Sequence, residues 1–150
     1  MNISRILWPT DFSAPSYEAL TVAKEMASMH IAELYLVHII TPLPPFALPP
    51  KDRPSFNVSE YIDHLRQSAE ESLQDVIDKK IGSELKIESV ILNGDAAGEI
   101  ARFANKENID LIIIASHGTT GWKRFLVGSV TENLVRICTV PVQIVPRPEH

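Results

Sequence analysis

LIIIASHGTTGWKRFLVGSV, residues 111–130, is the stretch that decides the fold. Its first five residues, Leu111–Ala115, are all apolar and lead directly into a polar loop that contains glycines. A short, wholly apolar run bounded by turn residues is typical of a strand buried on both faces, as in a parallel sheet. Parallel strands present the loops that follow them at the carboxyl edge of the sheet, where ligands bind. We therefore expect this loop to border a site.

The loop has the composition of an anion-binding segment. It contains three of the chain's six glycines, Gly118, Gly121 and Gly128, and glycine lets main-chain amides approach a ligand without a Cβ in the way. Ser129 stands where the next helix begins, so free amides, the helix dipole and its hydroxyl could converge on a phosphate. An equally good alternative is that Ser129 only caps its helix and the glycines only turn the chain.

The composition of the whole chain narrows its class. With 150 residues, 45% hydrophobic and 22% charged, we expect one globular domain. The net charge of −5 argues against a broad nucleic-acid surface, because no cationic excess exists to displace counterions. No stretch approaches the roughly 20 apolar residues of a membrane helix, and the N-terminus lacks the apolar core of a signal peptide. The single cysteine, Cys138, suits a reducing compartment. We expect a cytoplasmic protein that binds neither nucleic acid nor membrane.

Predicted strands and helices alternate along the chain. The strands are predicted at residues 3–9, 33–40, 85–92, 111–115 and 140–145. The helices are predicted at residues 14–29, 58–80, 96–108 and 129–137, with Ser13, Asn57 and Asp95 as caps. Alternation of this kind gives a parallel α/β sheet with right-handed crossovers. Pro141 moves the last strand to an edge, and the alternating pattern of residues 85–92 predicts an outer strand with one wetter face.

Asp11 follows the first predicted strand and has two interpretations. It either caps the following helix, a common role for a short acidic residue, or hydrogen-bonds a ribose hydroxyl or an adenine edge. Position alone favours the cap. His38, in the second predicted strand, is either a core imidazole satisfied by the backbone or a ligand. The other histidines are scattered along the chain, which argues against a zinc site.

A proline-rich segment follows the second predicted strand. Residues 41–57 hold six of the eleven prolines, and such a run resists both helix and sheet. We predict a connecting loop, with a docking motif for aromatic grooves as the alternative. Phe46, Leu48 and Phe56 suggest that the loop packs on something, and we hypothesise that residues 42–54 form a lid over the site.

The glycine loop resembles the nucleotide loop of the universal stress protein family. In that family a glycine, two residues, a second glycine, nine residues and a third glycine followed by Ser or Thr surround ATP. Here Gly118, nine residues and Gly128-Ser129 match, whereas Ala115 stands at the first glycine. The resemblance covers essentially residues 1–150 as one universal stress protein domain. It implies a doubly wound, five-stranded, Rossmann-like parallel sheet of the adenine nucleotide alpha hydrolase-like type, with strand order 3-2-1-4-5.

The resemblance also implies a binding site and partners. The Pro9–Asp11 segment resembles the adenosine-side wall, and Ile39 and Gly94 stand at positions that face the nucleotide. The implied nucleotide-binding residues are Pro9, Thr10, Asp11, Ile39, Gly94, Ile114, Ala115, His117, Gly118, Thr119, Thr120, Gly128, Ser129 and Val130. The implied ligand is ATP, AMP or another adenine nucleotide, with Mg²⁺ or Mn²⁺ held mainly by the phosphates. The implied partners are a second copy of the chain, through the strand from Val140 to Val145, and an unknown regulatory protein.

No catalytic signature accompanies this site. The P-loop lysine, the dinucleotide glycine fingerprint and a nucleophile elbow are all absent from the sequence. His117 and Asp11 are the only titratable groups expected near the phosphates or ribose, so we expect slow ATP hydrolysis or none. Two functions compete: a homodimeric ATP-binding regulatory module in the stress response, and a nucleotide-free dimeric interaction module in which Ala115 blocks the ribose end. An enzyme that adenylates or hydrolyses is a more distant third.

Overall fold

The predicted alternation of strands and helices is present in a computed structural model, which describes residues 2–42, 57–117 and 127–146. The strands are β1 (Arg5–Pro9), β2 (Glu33–Ile40), β3 (Ile87–Asn93), β4 (Leu111–Ala115) and β5 (Val142–Val145). The helices are α1 (Ala14–His30), α2 (Val58–Val76), α3 (Ala96–Lys106) and α4 (Ser129–Ile137). All neighbouring strands are parallel and their order is β3-β2-β1-β4-β5, which confirms the predicted topology. Residues 43–54 of the hypothesised lid lie outside the described ranges.

The two faces of the sheet carry separate cores, because successive side chains of a strand point to opposite faces. One core joins alternate residues of the central strands to α1 and α2, and it includes Ile6, Trp8, Leu34, Leu36, Ile113, Ala19, Ala23, Leu73 and Val76. The other joins the intervening residues to α3 and α4, and it includes Leu7, Tyr35, Val37, Ile112, Ile114, Ile100, Ala104 and Leu134. Every residue of β4 is buried, as its apolar run predicted. None of the helices in the described ranges combines the length and apolar character that a bilayer-spanning segment requires.

The predicted caps are confirmed. Ser13, Asn57 and Asp95 each accept a hydrogen bond from an amide in the first turn of α1, α2 and α3, respectively. These bonds satisfy donors that no helical carbonyl can reach. Capping is a local interaction, which is why the sequence pattern locates it.

Several predicted boundaries were wrong, and for two of them the structure gives a physical reason. The last strand begins at Val142, because Pro141 lies before it and contributes only its carbonyl, which accepts from Ile112 N at 2.9 Å. The second predicted helix does not continue to residue 80 as an α-helix: α2 ends at Val76 and a π-helical turn, Ile77–Ile81, follows. Gly82 closes this turn with φ 77°, donating its N–H to Ile77 O at 2.8 Å. Ile77 and Ile81, at the two ends of this turn, both pack against the core.

Ile31 terminates α1 in a strained conformation that offers a stability test. Its φ is 53° and its side chain is 94% exposed, so a left-handed backbone is imposed on a β-branched residue without any burial in return. We expect Ile31→Gly to raise the free energy of unfolding by about 1 kcal/mol in urea denaturation. Asn108 has the same φ but tolerates it, so Asn108→Gly should gain less. An equal gain at both positions, or a loss at Ile31, would contradict the strain argument.

Candidate functional site

A cleft of about 260 Å³ opens at the carboxyl edge of the sheet, and we call it the carboxyl-edge cleft. It lies where the chain order of the strands reverses, between β1 and β4. Ten of the sequence-predicted binding residues line it: Pro9, Thr10, Asp11, Ile39, Ile114, Ala115, His117, Gly128, Ser129 and Val130. Gly118, Thr119 and Thr120 lie outside the described residues. The cleft therefore brings together segments from β1, β2, β4 and α4.

The cleft is also lined by His38, for which the sequence left the role of a ligand open. Six further lining residues were not indicated by the sequence: Ser16, Val37, Thr41, Ala96, Ile100 and Thr131. For some of these residues the sequence contains a feature that could have indicated them. Val37 and Ile39 are two residues apart on one strand and so share a face. Ser16, Ala96 and Thr131 stand in the first turns of helices that begin at the carboxyl edge. Only the packed structure shows that these first turns converge on one cavity.

Gly94 lies outside the cleft lining. It occupies the turn after β3 with φ 137°, and its N–H donates to Ile40 O at 3.0 Å. A Cβ at this position would lie 3.0 Å from Glu99 Cγ. The requirement for glycine here thus has a local reason, a positive φ and a close side chain.

One end of the cleft, the Gly128 end, is an open helix N-terminus. Gly128 is the N-cap of α4, and no side chain caps this helix. In the described part of the chain, the amides of Ser129, Val130 and Thr131 have no acceptor. Ser129 is the first helical residue and is exposed, so the alternative in which it caps its own helix is wrong. Free amides and the helix dipole make this end favourable for an anion.

Two hydrogen bonds hold α4 against the end of β4. Gly128 N donates to Ser116 O at 2.6 Å, which draws together the two sides of the glycine loop. Thr131 Oγ1 donates to Ala115 O at 2.8 Å within the buried interior. Both bonds fix the direction in which the first turn of α4 points. The open amides of α4 are therefore held toward the cleft rather than left to fray.

The opposite end of the cleft, the Ile39 end, is an unpaired strand edge. Thr10 N donates to Val37 O at 2.8 Å, so Val37 faces β1, and Gly94 N donates to Ile40 O at 3.0 Å, so Ile40 faces β3. Because backbone groups alternate along a strand, Ile39 faces β1 as well. The β1 strand has already ended at Pro9. Neither the N–H nor the C=O of Ile39 has a partner among the residues that the structure describes.

Asp11 lies at the exposed rim of the cleft. Its Oδ1 accepts from Ser13 N at 3.0 Å, whereas Ser13 itself caps α1, so the interpretation of Asp11 as the helix cap is wrong. The other carboxylate oxygen has no partner within residues 2–42, 57–117 and 127–146 and can accept from a ligand. Burial raises the pKa of the nearby Tyr17 phenol, and the carboxylates of Asp75 and Asp11 raise it further.

Ala115 is compatible with the backbone at the position where the family has glycine. It is the last residue of β4, pairs with Val145 and is absent from the positive-φ residues of the described chain. An extended φ suits any L-residue. Ala115 lines the cleft and is 7% exposed. The methyl group of Ala115 therefore affects the space that a ligand has in the cleft and does not strain the backbone.

His117 lies two residues after Ala115 and is 4% exposed. Its Nδ1 is hydrogen-bonded to Ser116 Oγ at 2.8 Å, and its buried Nε2 has no partner in the described ranges. A buried polar atom without a partner is costly unless a ligand or another group satisfies it. His117 thereby remains a candidate ligand contact in the cleft wall. The described residues contain no group of three or more His, Cys, Asp or Glu side chains that could hold a metal ion.

This fold and cleft define a doubly wound parallel α/β protein with a binding cleft at its topological switch point. The model of the universal stress protein family matches residues 2–146, and the chain belongs to this family.

Individual relatives agree with this assignment. The chain is 35% identical over 147 residues to universal stress protein MJ0531 of Methanocaldococcus jannaschii, covering 97% of this chain and 83% of the relative. It is 32% identical to universal stress protein MJ0577 of the same organism, covering 95% and 94%. The solved structure of MJ0577 superposes with a TM-score of 0.84 at 30% identity and full coverage of both chains.

Two more distant structures share the fold. A universal stress protein from Archaeoglobus fulgidus, solved in complex with dAMP, has a TM-score of 0.65 at 20% identity and covers 96% of this chain and 98% of its own. Another family member, solved in complex with cAMP, has a TM-score of 0.63 at 19% identity and covers 97% and 98%. At these identities the likeness concerns the fold.

Proposed function

We propose that this universal stress protein is a cytoplasmic, homodimeric regulatory module that binds ATP or another adenine nucleotide in the carboxyl-edge cleft, with little or no hydrolysis. One observation carries the proposal: an uncapped helix N-terminus at Gly128 and an unpaired strand edge at Ile39 face the same cleft. The first suits an anionic tail and the second suits the edge of a base. A nucleotide has both features.

The Gly128 end would take the phosphates. The free amides of the first turn of α4 and the Ser129 hydroxyl offer several donors to phosphate oxygens, and the helix dipole adds to their attraction. The described residues offer no acidic cluster for a divalent ion. Mg²⁺ or Mn²⁺ would therefore be held mainly by the phosphates and water.

The Ile39 end would take the base. Adenine presents an amino donor beside a ring-nitrogen acceptor, which complements the free C=O and N–H of one strand residue. Guanine presents an acceptor and a donor in the reverse order and would meet this edge unfavourably. The apolar side chains of Val37, Ala96, Ile100 and Ile114 line the cleft and would contact the faces of the base.

The middle of the cleft would take the ribose. Asp11 lies at the rim with one free carboxylate oxygen, which suits a sugar hydroxyl. Ala115 and His117 also line the cleft. The family members solved with dAMP and cAMP, although only 20% and 19% identical, support an adenine nucleotide as the ligand class.

Calorimetric titration with ATP and Mg²⁺ tests this function, with Ser129→Ala as the variant. We expect saturable binding below about 1 mM, roughly −4 kcal/mol or tighter. Loss of a hydrogen bond to a charged phosphate costs about 1.5–3 kcal/mol, so Ser129→Ala should weaken binding by at least about tenfold. Ser59→Ala is a matched control, because Ser59 also stands in the first turn of a helix but does not line the cleft. Wild-type protein that shows no saturable binding would refute the proposal.

The second candidate function is a nucleotide-free dimeric interaction module of the same fold. The methyl group of Ala115 in the cleft wall favours it, since the family has glycine there. Both candidates use the same dimer, formed through β5. This strand has no second neighbour among the described strands, and Ile144 on it is exposed, as are Val135 and Ile137 on α4. A monomeric mass in sedimentation equilibrium would contradict the dimer in both cases.

A further inference from the structure

The hydrogen-bond ladder between β1 and β2 lacks the bond that would come next if the two segments kept their register. Glu33 N donates to Ser4 O at 2.9 Å, and the two strands stay in register to Pro9 and Val37. Six residues further along both strands, Ile39 N would donate to Thr10 O. That bond is not formed between these two described residues. Thr10 O instead lies 2.8 Å from His38 Nδ1.

The contact between His38 Nδ1 and Thr10 O shows which nitrogen of the His38 ring carries a proton. A carbonyl oxygen can only accept, so His38 Nδ1 must be the N–H donor. The imidazole thus occupies one of the two acceptor positions of the Thr10 carbonyl, the group to which the Ile39 amide would otherwise donate. The N–H, the hydroxyl and the C=O of Thr10 therefore all have hydrogen-bond partners. The N–H donates to Val37 O, and the hydroxyl is bonded to Ser16 Oγ and Phe12 N.

Phe12 holds the imidazole in this position. The two rings are tilted by 33° with centroids 4.7 Å apart. Phe12 adopts φ 62°, a left-handed conformation that an aromatic residue seldom takes. Strain of this kind persists where surrounding contacts impose it, and it concentrates at functional sites. Here the strained residue supports the side chain that interrupts the ladder.

We propose that His38 is a positioning residue for base recognition. By occupying the Thr10 carbonyl, it keeps the ladder from closing over Ile39 and leaves the Ile39 N–H and C=O free to hydrogen-bond the base. The identity of the base rests on the proposed function. The interruption of the ladder rests on the geometry of His38 and Thr10 alone.

Two variants separate this role from general packing. His38→Leu removes the donor and frees Thr10 O, so the ladder can close by one rung and pair the Ile39 amide. His38→Asn keeps an N–H donor at nearly the same distance from the backbone as Nδ1. A purely structural role would not be rescued by the smaller asparagine side chain.

Native-state amide exchange, followed by NMR on nucleotide-free protein, tests the interruption without any ligand. We expect the Ile39 amide to exchange rapidly in the wild type and in His38→Asn, and at least about tenfold more slowly in His38→Leu. An Ile39 amide that is already protected in the wild type would overturn the proposal. So would an unchanged exchange rate in a folded His38→Leu protein.

Competition between adenosine and inosine tests the consequence for recognition, because inosine replaces the amino donor by a carbonyl acceptor. We expect the wild type and His38→Asn to prefer adenosine by at least about tenfold and His38→Leu to lose that preference. Retained preference in His38→Leu would overturn the recognition role. If no nucleoside or nucleotide binds to the wild type, the proposed function fails, whereas the exchange of Ile39 still decides whether His38 holds the ladder open.

Discussion

Replacing Trp8 by alanine is expected to lower the free energy of unfolding by about 3–5 kcal/mol. Trp8 is completely buried in the central strand β1 and belongs to the core beneath α1. Its ring lies 6.3 Å from that of Tyr17, and its Nε1 donates to Ser16 O at 2.9 Å. Alanine would leave a cavity and remove this hydrogen bond at once.

Urea denaturation and thermal unfolding measure the effect. The expected decrease in Tm is roughly 6–20 °C, at about 2–4 °C per kcal/mol for a chain of this size. Trp8→Phe is the matched control, since it keeps an aromatic ring but loses the N–H, and it should cost only about 1–2 kcal/mol. Similar losses in both variants would show that the hydrogen bond to α1, rather than the volume of the ring, dominates.

Replacing Ala115 by leucine is expected to weaken nucleotide binding by about 10- to 100-fold, because forcing extra methylene groups into occupied space costs about 1–3 kcal/mol. Ala115 lines the cleft between its Gly128 and Ile39 ends and has almost no exposed surface. Leucine would fill space that a bound nucleotide needs. Titration with ATP and Mg²⁺ measures the loss.

Two further variants make the result specific. Ala101→Leu is the control, because Ala101 is also buried but belongs to α3 outside the cleft lining, so its variant should lose stability and keep affinity. Ala115→Gly restores the family residue and should bind at least as tightly as the wild type, at a cost of about 0.5–1 kcal/mol in stability. Binding by Ala115→Gly alone would favour the nucleotide-free module as the natural function. Undiminished binding by Ala115→Leu would remove Ala115 from the site.

The sequence pattern was sufficient for features that depend on neighbouring residues. The wholly apolar run of β4, the caps Ser13, Asn57 and Asp95, and the bounds of β2, β4 and α4 all follow from local interactions. The strand order came from the resemblance to the family and not from these patterns. Boundaries were missed where packing overrides the local signal. The π-helical turn after α2, in which both Ile77 and Ile81 pack against the core, is one such place.

The sequence by itself determined the strands and helices of this protein and the segments that meet at the carboxyl edge. Only the tertiary structure decided which polar groups remain free there. Asp11 binds Ser13 instead of capping α1, Ser129 leaves its helix uncapped, and His38 takes the carbonyl that would otherwise pair Ile39. The physical reason is competition for hydrogen bonds among groups from different segments. The outcome of this competition depends on which donor the folded chain places within hydrogen-bonding distance of an acceptor. Spacing along the sequence does not encode that distance.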